Sequence, residues 1–435
     1  MSASSFLRRL FGGGPGSANG AVQQLLRLCD SRIAESSEYT NTALARQAVD
    51  AYEALDAAGR EQFFDILARD YSPSPDAVMQ SASAYHAEPS PANLERLFAS
   101  VEPPRQELFR RLNMTPGGTT ALVEMRKEVL DGLRAKPHWA VIDGDLMHLL
   151  RSWFNRGFLR LERIDWRTPA IILEKLIEYE AVHAIQGWRD LRRRLEADRR
   201  CFAFFHPQLP EEPIIFIEVA LTRTMSAHIQ PIIDINSPVS AANCDCAMFY
   251  SITNCQEGLR GISFGNLLIK QVAEELKREF PHLRRFATLS PLQGFRRWLE
   301  QKRVEHPKEL AMLGKLDQSD WHQSEVPDAL QRLLIRLCAH YLLRAKRGDQ
   351  PLDPVARFHL GNGAALERLN WMGDISETGM ARSAGLMVNY VYWLNEVERN
   401  HERYWRDKEI TASPAVEKLA RECVLAAPAE KGAAA

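Results

Sequence analysis

Apolar residues divide the chain into two parts of different character. From residue 21 to about 154, apolar side chains recur near the 3.6-residue helical period, as they do at 63–67 and 146–153. Stretches rich in proline and serine separate these stripes. The pattern predicts an all-α helical bundle over 21–154. No cluster of polar residues in this part points to a particular chemistry, so packing and assembly are its expected roles.

Beyond residue 155, short apolar runs alternate with helical patterns. Runs rich in β-branched and aromatic residues predict strands, and longer periodic stretches predict helices. The predicted strands lie at 201–205, 213–221, 244–253 and 285–289, with a strand-like segment at 356–359. The predicted helices lie at 168–195, from Asn266 to about Phe280, at 328–347 and around 383–408. Strands that alternate with helices indicate an α/β layer.

The fold class predicted for the whole chain is therefore α+β. We expect a flexible N-terminus at 1–20, the helical domain at 21–154, an α/β domain at 155–412, and a C-terminal helix with a loose tail at 413–435. A chain of 435 residues is too long for one ordinary core, which agrees with two domains.

Composition excludes several classes of protein. The 55 Lys and Arg residues balance 56 Asp and Glu residues, so the excess basic charge of a general nucleic-acid binder is missing. No apolar run approaches the roughly 20 residues that span a bilayer, so no membrane partner is expected. The seven cysteines are scattered and odd in number, which favours a reducing compartment and, by default, the cytoplasm.

A glycine-rich segment links a predicted strand to the helix that begins near Asn266. Gly258, Gly261 and Gly265 permit close approach of a ligand to backbone N–H groups, and the helix N-terminus favours an anion. Arg260 could add a charge-assisted hydrogen bond. The segment is neither a P-loop nor G-x-G-x-x-G. On these grounds alone, an ordinary tight turn is as good an interpretation as a phosphate site.

This loop resembles the Gln/Arg-x-x-Gly-x-Gly/Ala loop of the GNAT acyltransferase superfamily, which holds the pyrophosphate of coenzyme A. Ser263 departs from the pattern, because it stands where the first glycine would be. The resemblance implies that CoA contacts these residues: Arg260, Gly261, Ile262, Ser263, Phe264, Gly265 and Asn266.

Several further segments, taken in order over roughly residues 150–400, resemble the malonyl-CoA decarboxylase family. They are Tyr250 to Thr253, Phe286 to Phe295, Pro354 to Ala364, Asn370 to Met372, and Gly385 to Tyr390. The resemblance implies a GNAT-like catalytic domain with a mixed central sheet. It also implies a helical domain that assembles a homo-oligomer, as a dimer or tetramer.

The family's serine and histidine motifs fall on Ser290 and His359, which the resemblance implies are catalytic and in contact with substrate. Ser251 and Tyr392 are expected near the pocket. Without the resemblance, Ser290 would be interpreted as a strand terminus and His359 as a buried core histidine.

The implied reaction converts malonyl-CoA to acetyl-CoA and CO₂ through an enolate thioester that His359 protonates. An imidazole with an ordinary pKa of about 6.5 suits a proton donor at neutral pH. Because the thioester itself accepts the electron pair, we expect no metal and no cofactor beyond the CoA moiety. The pair Cys244 and Cys246 has no second pair or nearby histidine, so no zinc site is expected. Two alternatives remain: a GNAT-type acyltransferase acting on an amine, and a non-catalytic CoA-binding scaffold.

Overall fold

The computed structural model describes residues 18–29, 38–237, 244–262, 268–318, 320–323 and 326–425. The chain folds into two compact units. The first unit contains residues 1–160, 205–212 and 256–264, and the second contains 161–204, 213–255 and 265–435. The first division lies after Arg160, and two short later segments group with the first unit.

The first unit is helical, because its apolar stripes pack against one another. Phe63, Phe64, Leu122, Leu146 and Leu150 are each at most 2% exposed. Its helices are α1 (Ala18–Cys29), α2 (Glu38–Glu53), α3 (Ala57–Asp70), α4 (Pro75–Ala87), α5 (Pro91–Val101), α6 (Pro104–Asn113), α7 (Gly118–Gly132) and α8 (Ala140–Trp153). Residues 18–20, predicted as part of a flexible terminus, belong to α1, and residues 1–17 lie outside the described residues.

The second unit is built on a mixed sheet with helices around it. The strands of this sheet are β1 (Arg160–Ile164), β2 (Arg199–His206), β3 (Leu209–Thr222), β4 (Cys246–Asn254), β5 (Arg285–Thr288), β6 (Ser290–Pro291), β9 (Ala365–Asn370) and β10 (Met387–Val391). A separate two-stranded sheet contains β7 (Lys346–Arg347) and β8 (Gln350–Pro351). The helices are α9 (Ala170–Tyr179), α10 (Trp188–Arg194), α11 (Gln230–Ile233), α12 (Leu268–Glu279), α13 (Phe295–Glu305), α14 (Asp328–Arg344), α15 (Pro354–Gly361), α16 (Glu377–Ser383), α17 (Val397–Glu402) and α18 (Pro414–Arg421).

The strand order in the large sheet is β1-β2-β3-β4-β5-β10-β6, and β9 pairs with β10. The β4–β5 pair is parallel, whereas β3–β4 and β5–β10 are antiparallel. A helical unit followed by a mixed sheet confirms the predicted fold class. No helix among the described residues is both long and apolar enough to cross a membrane.

Three predicted elements were wrong in the second unit. The predicted helix at 168–195 is two helices, because the chain leaves α9 after Tyr179 and re-enters a helix only at Trp188. The predicted helices around 383–408 contain strand β10, whose five residues are all buried and pair with β9 and β5.

The third error concerns the strand-like segment at 356–359, which is helix α15. Asp353 begins this helix, since its side chain accepts a hydrogen bond from the backbone N–H of Ala356, and Pro354 occupies the first turn. The helix ends at Gly361, and Gly363 then adopts a φ of +83°. A Cβ atom at position 363 would lie 2.1 Å from the carbonyl oxygen of Val397, so only glycine fits there.

Candidate active site

Strands β4 and β5 diverge at the centre of the sheet. They pair from Cys246 and Arg285 up to Phe249 and Thr288. Beyond that point β4 continues to Asn254, whereas the chain that follows β5 forms β6 and pairs with β10. A cavity of about 210 Å³ is lined by β4, by residues 289–293 and by the start of α15. The divergence of two parallel strands thus leaves a pocket between elements that are otherwise closely packed.

Ser290, His359 and Tyr392 form a continuous hydrogen-bonded chain at this cavity. The Oγ atom of Ser290 lies 3.0 Å from Nε2 of His359, and Nδ1 of His359 lies 2.9 Å from the hydroxyl of Tyr392. Ser290 Oγ also donates to Thr288 Oγ1 at 2.8 Å. All four residues are buried, and Ser290 and His359 both line the cavity.

These contacts assign the tautomer of His359. Thr288 Oγ1 accepts a hydrogen bond from the backbone N–H of Tyr390 at 3.2 Å, in addition to the one from Ser290. Because the hydroxyl hydrogen of Ser290 points to Thr288, the imidazole must donate to Ser290 from Nε2. Nδ1 then accepts the hydroxyl hydrogen of Tyr392. In this arrangement, each side-chain donor from Tyr392 through His359 to Ser290 has an acceptor.

Burial changes the acid–base properties of His359. The imidazole is 3% exposed, and it stacks on the ring of Tyr390 with the centroids 4.6 Å apart. Burial lowers the pKa of His359 to about 3, so the ring is neutral at pH 7. The expectation of an ordinary imidazole pKa near 6.5 was therefore wrong. Burial also raises the pKa of the Tyr392 phenol, which stays protonated as a donor.

Ser251 lies on β4 and lines the same cavity, where it is bonded to a buried carboxylate. Its hydroxyl donates to Oε2 of Glu180 at 2.7 Å. The other carboxylate oxygen of Glu180 accepts the backbone N–H groups of Val182 and His183, both at 2.7 Å. Ser251 therefore fixes the turn after α9 against the cavity wall, and Val182 in that turn also lines the cavity.

The predicted CoA-binding loop is described only at its start. Arg260 and Gly261 are exposed, and Ile262 is buried. These three residues belong to the first compact unit, whereas Ser251, Ser290, His359 and Tyr392 belong to the second. Ser263, Phe264, Gly265 and Asn266 lie outside the described residues.

The segment before this loop packs tightly against α7 in the first unit. A Cβ atom at position 258 would lie 1.9 Å from the carbonyl oxygen of Val123, so the close approach requires glycine. The buried guanidinium of Arg126 donates to the carbonyl of Gly258 at 2.7 Å, and it also pairs with Asp143 at 2.8 Å. Gly261 has a φ of +80°, in the left-handed region that glycine favours. The described start of the loop is thus held by the helical unit.

Four residues of the site were not identified from sequence: Thr288, Tyr390, Glu180 and Asp353. Asp353 carried a usable signal, since Asp followed by Pro before an apolar run is a typical helix start. Thr288 lies two positions before Ser290, as expected for side chains on one face of an extended segment. Glu180 and Tyr390 gave no such signal, because their contacts come from distant parts of the chain.

Within the described part of the chain, no group of three or more His, Cys, Asp or Glu side chains is placed to hold a metal ion. Cys244 and Cys246 are both buried, and neither forms a disulfide bond. Burial raises the pKa of the Cys246 thiol to about 11, which disfavours the thiolate that binds metals.

Comparison with known proteins gave matches over almost the whole chain. The family model described as "Malonyl-CoA decarboxylase N-terminal domain" matches residues 71–154, and "Malonyl-CoA decarboxylase C-terminal domain" matches residues 157–431. The mitochondrial malonyl-CoA decarboxylase of Anser anser anser is 37% identical over 406 residues, covering 84% of this chain and 81% of the relative. That of Rattus norvegicus is 38% identical over 351 residues, covering 73% and 71%.

Solved structures agree with these matches. The crystal structure of malonyl-CoA decarboxylase from Rhodopseudomonas palustris is 47% identical, with a TM-score of 0.87, and covers 91% of this chain and 99% of that one. The enzyme from Agrobacterium vitis is 46% identical, with a TM-score of 0.85 and the same coverage.

Proposed function

The chain belongs to the malonyl-CoA decarboxylase family, and we propose that it converts malonyl-CoA to acetyl-CoA and CO₂ in the cavity beside Ser290 and His359. The proposed location of the reaction rests on the 3.0 Å contact between Ser290 Oγ and His359 Nε2 in the wall of that cavity. A serine hydroxyl and an imidazole nitrogen that meet at a pocket between diverging strands can both bond to one acyl group.

The reaction breaks the bond between the carboxylate carbon and the α-carbon. The electron pair moves into the thioester and forms an enolate, and a proton then adds to the α-carbon. Malonyl-CoA and one proton thus give acetyl-CoA and CO₂. The protein must bind the carboxylate away from strong solvation and stabilise the enolate oxygen with fixed donors. We assign Ser290 Oγ and His359 Nε2 as these donors, and their hydrogens turn from Thr288 and Ser290 to the malonyl group when it binds.

His359 must gain a proton before it can give one to the α-carbon, because burial keeps the ring neutral. A malonyl carboxylate beside the imidazole favours the protonated ring, since a nearby negative charge raises the pKa of a histidine. We therefore propose that substrate binding itself charges His359. The Tyr392 hydroxyl reorients in this step. It donates to Nδ1 of the neutral ring, and it rotates to accept a hydrogen bond from Nδ1 once the ring is protonated.

The thioester is the electron sink of the proposed reaction, so we propose that no metal and no cofactor beyond the CoA moiety take part. The pyrophosphate of CoA is assigned to the loop from Arg260 to Asn266. An exposed guanidinium at Arg260 and the left-handed Gly261 support that assignment.

The direct test is to incubate the purified full chain with malonyl-CoA alone and to measure acetyl-CoA and ¹³CO₂ by mass spectrometry, with a ¹³C label in the free carboxylate. Stoichiometric release of both products is expected. His359→Asn should bind malonyl-CoA with a Kd within about threefold of wild type but release no CO₂. If His359→Asn keeps full turnover, the assignment of His359 is wrong. Acetylation of an added amine without CO₂ release would instead favour an acyltransferase.

We also propose that the protein forms a homo-oligomer, a dimer or tetramer, through its helical unit. Helices α4 and α5 pack on each other, and no described side chain of α4 is buried. Met79 is 68% exposed and Phe98 is 64% exposed, which supports coverage of this hairpin by a second copy. Light scattering should give a multiple of 49.4 kDa for wild type and a smaller mass for Met79→Ser/Phe98→Ser. A monomeric wild type would contradict the proposal.

We also propose that the protein is located in the cytoplasm. All seven cysteines are buried and none of them forms a disulfide bond, as is typical of proteins in a reducing compartment. Two relatives carry the word mitochondrial in their names, so the organelle is the alternative to exclude. Fractionation of cells that express the untagged full chain should recover it with cytoplasmic markers, and recovery with organelle markers would contradict this assignment.

A further inference from the structure

A second cavity, of about 640 Å³, lies beside the cavity that contains Ser290. Val182 and Pro291 line both cavities, so the two share part of a wall. The rest of the larger cavity is lined by residues 181–186, by α10, by residues 233–235 and by residues 374–387, all within the second compact unit. Its volume is in the range of small-molecule sites, and no step of the proposed decarboxylation uses its polar groups.

Two guanidinium groups on this lining are available to a ligand. Arg189, on α10, and Arg382, on α16, both line the cavity. Neither forms an ion pair or a side-chain hydrogen bond with any residue that the structure describes. An arginine presents five donors in a planar fork, which matches the two oxygens of a carboxylate.

The carboxylates on the same lining already have donors. Asp190 pairs with Arg194 at 3.0 Å. Asp374 accepts a glutamine amide at 2.9 Å and a backbone N–H at 3.0 Å, and Asp234 accepts a backbone N–H at 2.9 Å. Of the charged side chains on the lining, only Arg189 and Arg382 therefore lack an ion-pair or hydrogen-bond partner among the described residues, which favours an anionic ligand beside them.

A partly buried histidine provides an independent indication of a ligand. Nε2 of His183 is buried and has no hydrogen-bond partner among the described residues, although His183 lines the cavity. Buried polar atoms nearly always have a partner. Burial lowers the pKa of His183 to about 4, so the ring is neutral at pH 7 and can donate or accept one hydrogen bond at Nε2.

We propose that this cavity binds a small organic carboxylate, whose oxygens bond to the guanidinium groups of Arg189 and Arg382 and to Nε2 of His183. The carbon atoms of the ligand contact the apolar side chains of Ile233 and Leu386, which also line the cavity. A short dicarboxylate offers one carboxylate for the arginines and a second oxygen pair for the imidazole or solvent.

Occupancy of this cavity should alter turnover without blocking CoA. Pro291, in the shared wall, directly follows Ser290, and Val182 is held by the contact between Glu180 and the backbone of the same turn. A ligand against that wall therefore changes kcat more than KM. This consequence rests on the proposed function, whereas binding of the carboxylate does not.

The test is titration calorimetry of the full chain with succinate at constant ionic strength, and with phosphate and chloride as comparison anions. Saturable binding of one succinate per chain is expected, with at least tenfold weaker binding in Arg189→Gln/Arg382→Gln, because two charge-assisted hydrogen bonds are removed. Arg192→Gln is the matched control, since Arg192 is exposed on the same helix and does not line the cavity. Melting temperatures of all variants verify that they are folded.

Four results would overturn the proposal: no saturable heat with succinate, unchanged affinity in the double variant, binding of phosphate but not succinate, or loss of succinate binding when acetyl-CoA saturates the protein. The last result would place succinate in the catalytic cavity. If succinate binds as expected while malonyl-CoA is not decarboxylated, the proposed function fails and the carboxylate site stands.

Discussion

Asp353 accepts the backbone N–H of Gln293 at 3.0 Å and so joins the two segments that contain the candidate catalytic residues. Gln293 follows Ser290 by three positions, and Asp353 begins the helix that contains His359. Oδ1 of the same carboxylate caps that helix at Ala356, at 2.8 Å, and the carboxylate is fully buried. The 3.0 Å contact between Ser290 and His359 therefore depends on Asp353, whose carboxylate bonds to both of the segments that contain them.

Substitutions of Asp353 should separate the two roles of its carboxylate, which are the bond to Gln293 and the cap of α15. Asp353→Ser keeps a capping oxygen but cannot also reach Gln293, so we expect kcat to fall at least tenfold with KM within about threefold of wild type. Asp353→Ala loses the cap as well, and the free energy of unfolding should fall by about 2–4 kcal/mol. Steady-state kinetics and urea unfolding measure the two effects.

A cap elsewhere in the chain serves as the control for Asp353. Ser90 accepts from Asn93 at the start of α5, so Ser90→Ala should lower stability by about 1 kcal/mol and leave kcat unchanged. If Asp353→Ser retains wild-type kcat, the bond between Asp353 and Gln293 does not set the geometry of the site.

The depressed pKa of His359 predicts a specific loss of stability in acid. The pKa is about 3 in the folded protein and about 6.5 when the chain is unfolded, so protons bind preferentially to the unfolded chain as the pH falls below 6.5. The stability that the neutral ring provides is complete above pH 6.5 and is lost progressively toward pH 3. At pH 5 the loss from this residue is about 2 kcal/mol.

Comparison of wild type with His359→Gln isolates that contribution, because glutamine does not titrate. The difference between their free energies of unfolding should change by about 2 kcal/mol between pH 7.5 and pH 5.0, with wild type losing more. His228→Gln, which removes an exposed imidazole, is the control for loss of a histidine. Parallel curves for wild type and His359→Gln would contradict the neutral, buried ring.

Sequence patterns predicted the parts of this fold that depend on local periodicity. The stripes at 63–67 and 146–150 form buried helical faces, and the apolar runs at 201–205 and 213–221 form β2 and β3. Strand β10 was missed because its five buried residues give no alternating pattern, and two of its partners, β5 and β6, lie about a hundred residues away in the chain. Helix α15 was missed because eight residues barely complete two turns, which is too short for a helical period to stand out.

The candidate site shows the same limit. The resemblance identified Ser290 and His359, and the structure places them in contact. The contact of Tyr392 with Nδ1 joins positions 33 residues apart, which no local spacing encodes. The pKa of His359 could not be inferred either, because it depends on burial by several elements of the fold.

Tyr392 should matter through its hydroxyl rather than its ring. Tyr392→Phe keeps the aromatic ring but removes the donor to Nδ1, which leaves a buried nitrogen unpaired and frees the tautomer of His359. We expect kcat to fall about 10- to 100-fold while KM for malonyl-CoA changes little. Tyr404→Phe is the matched control, because the Tyr404 hydroxyl is buried with no hydrogen-bond partner among the described residues. Equal kcat values in the two variants would show that the Tyr392 hydroxyl has no part in the reaction.

Arg260 should act on substrate binding and not on the chemical step. The residue is exposed at the start of the glycine loop, and its assigned role is a charge-assisted bond to the CoA pyrophosphate, remote from the bond that breaks. Loss of such a bond costs about 1.5–3 kcal/mol, so Arg260→Ala should raise KM about 10- to 100-fold and leave kcat within about twofold. Arg278→Ala, which removes another exposed arginine, controls for the change in surface charge. The same kinetics with malonyl-pantetheine, which lacks the pyrophosphate, should be insensitive to Arg260→Ala. An unchanged KM for malonyl-CoA, or an equal rise for both substrates, would remove Arg260 from the pyrophosphate site.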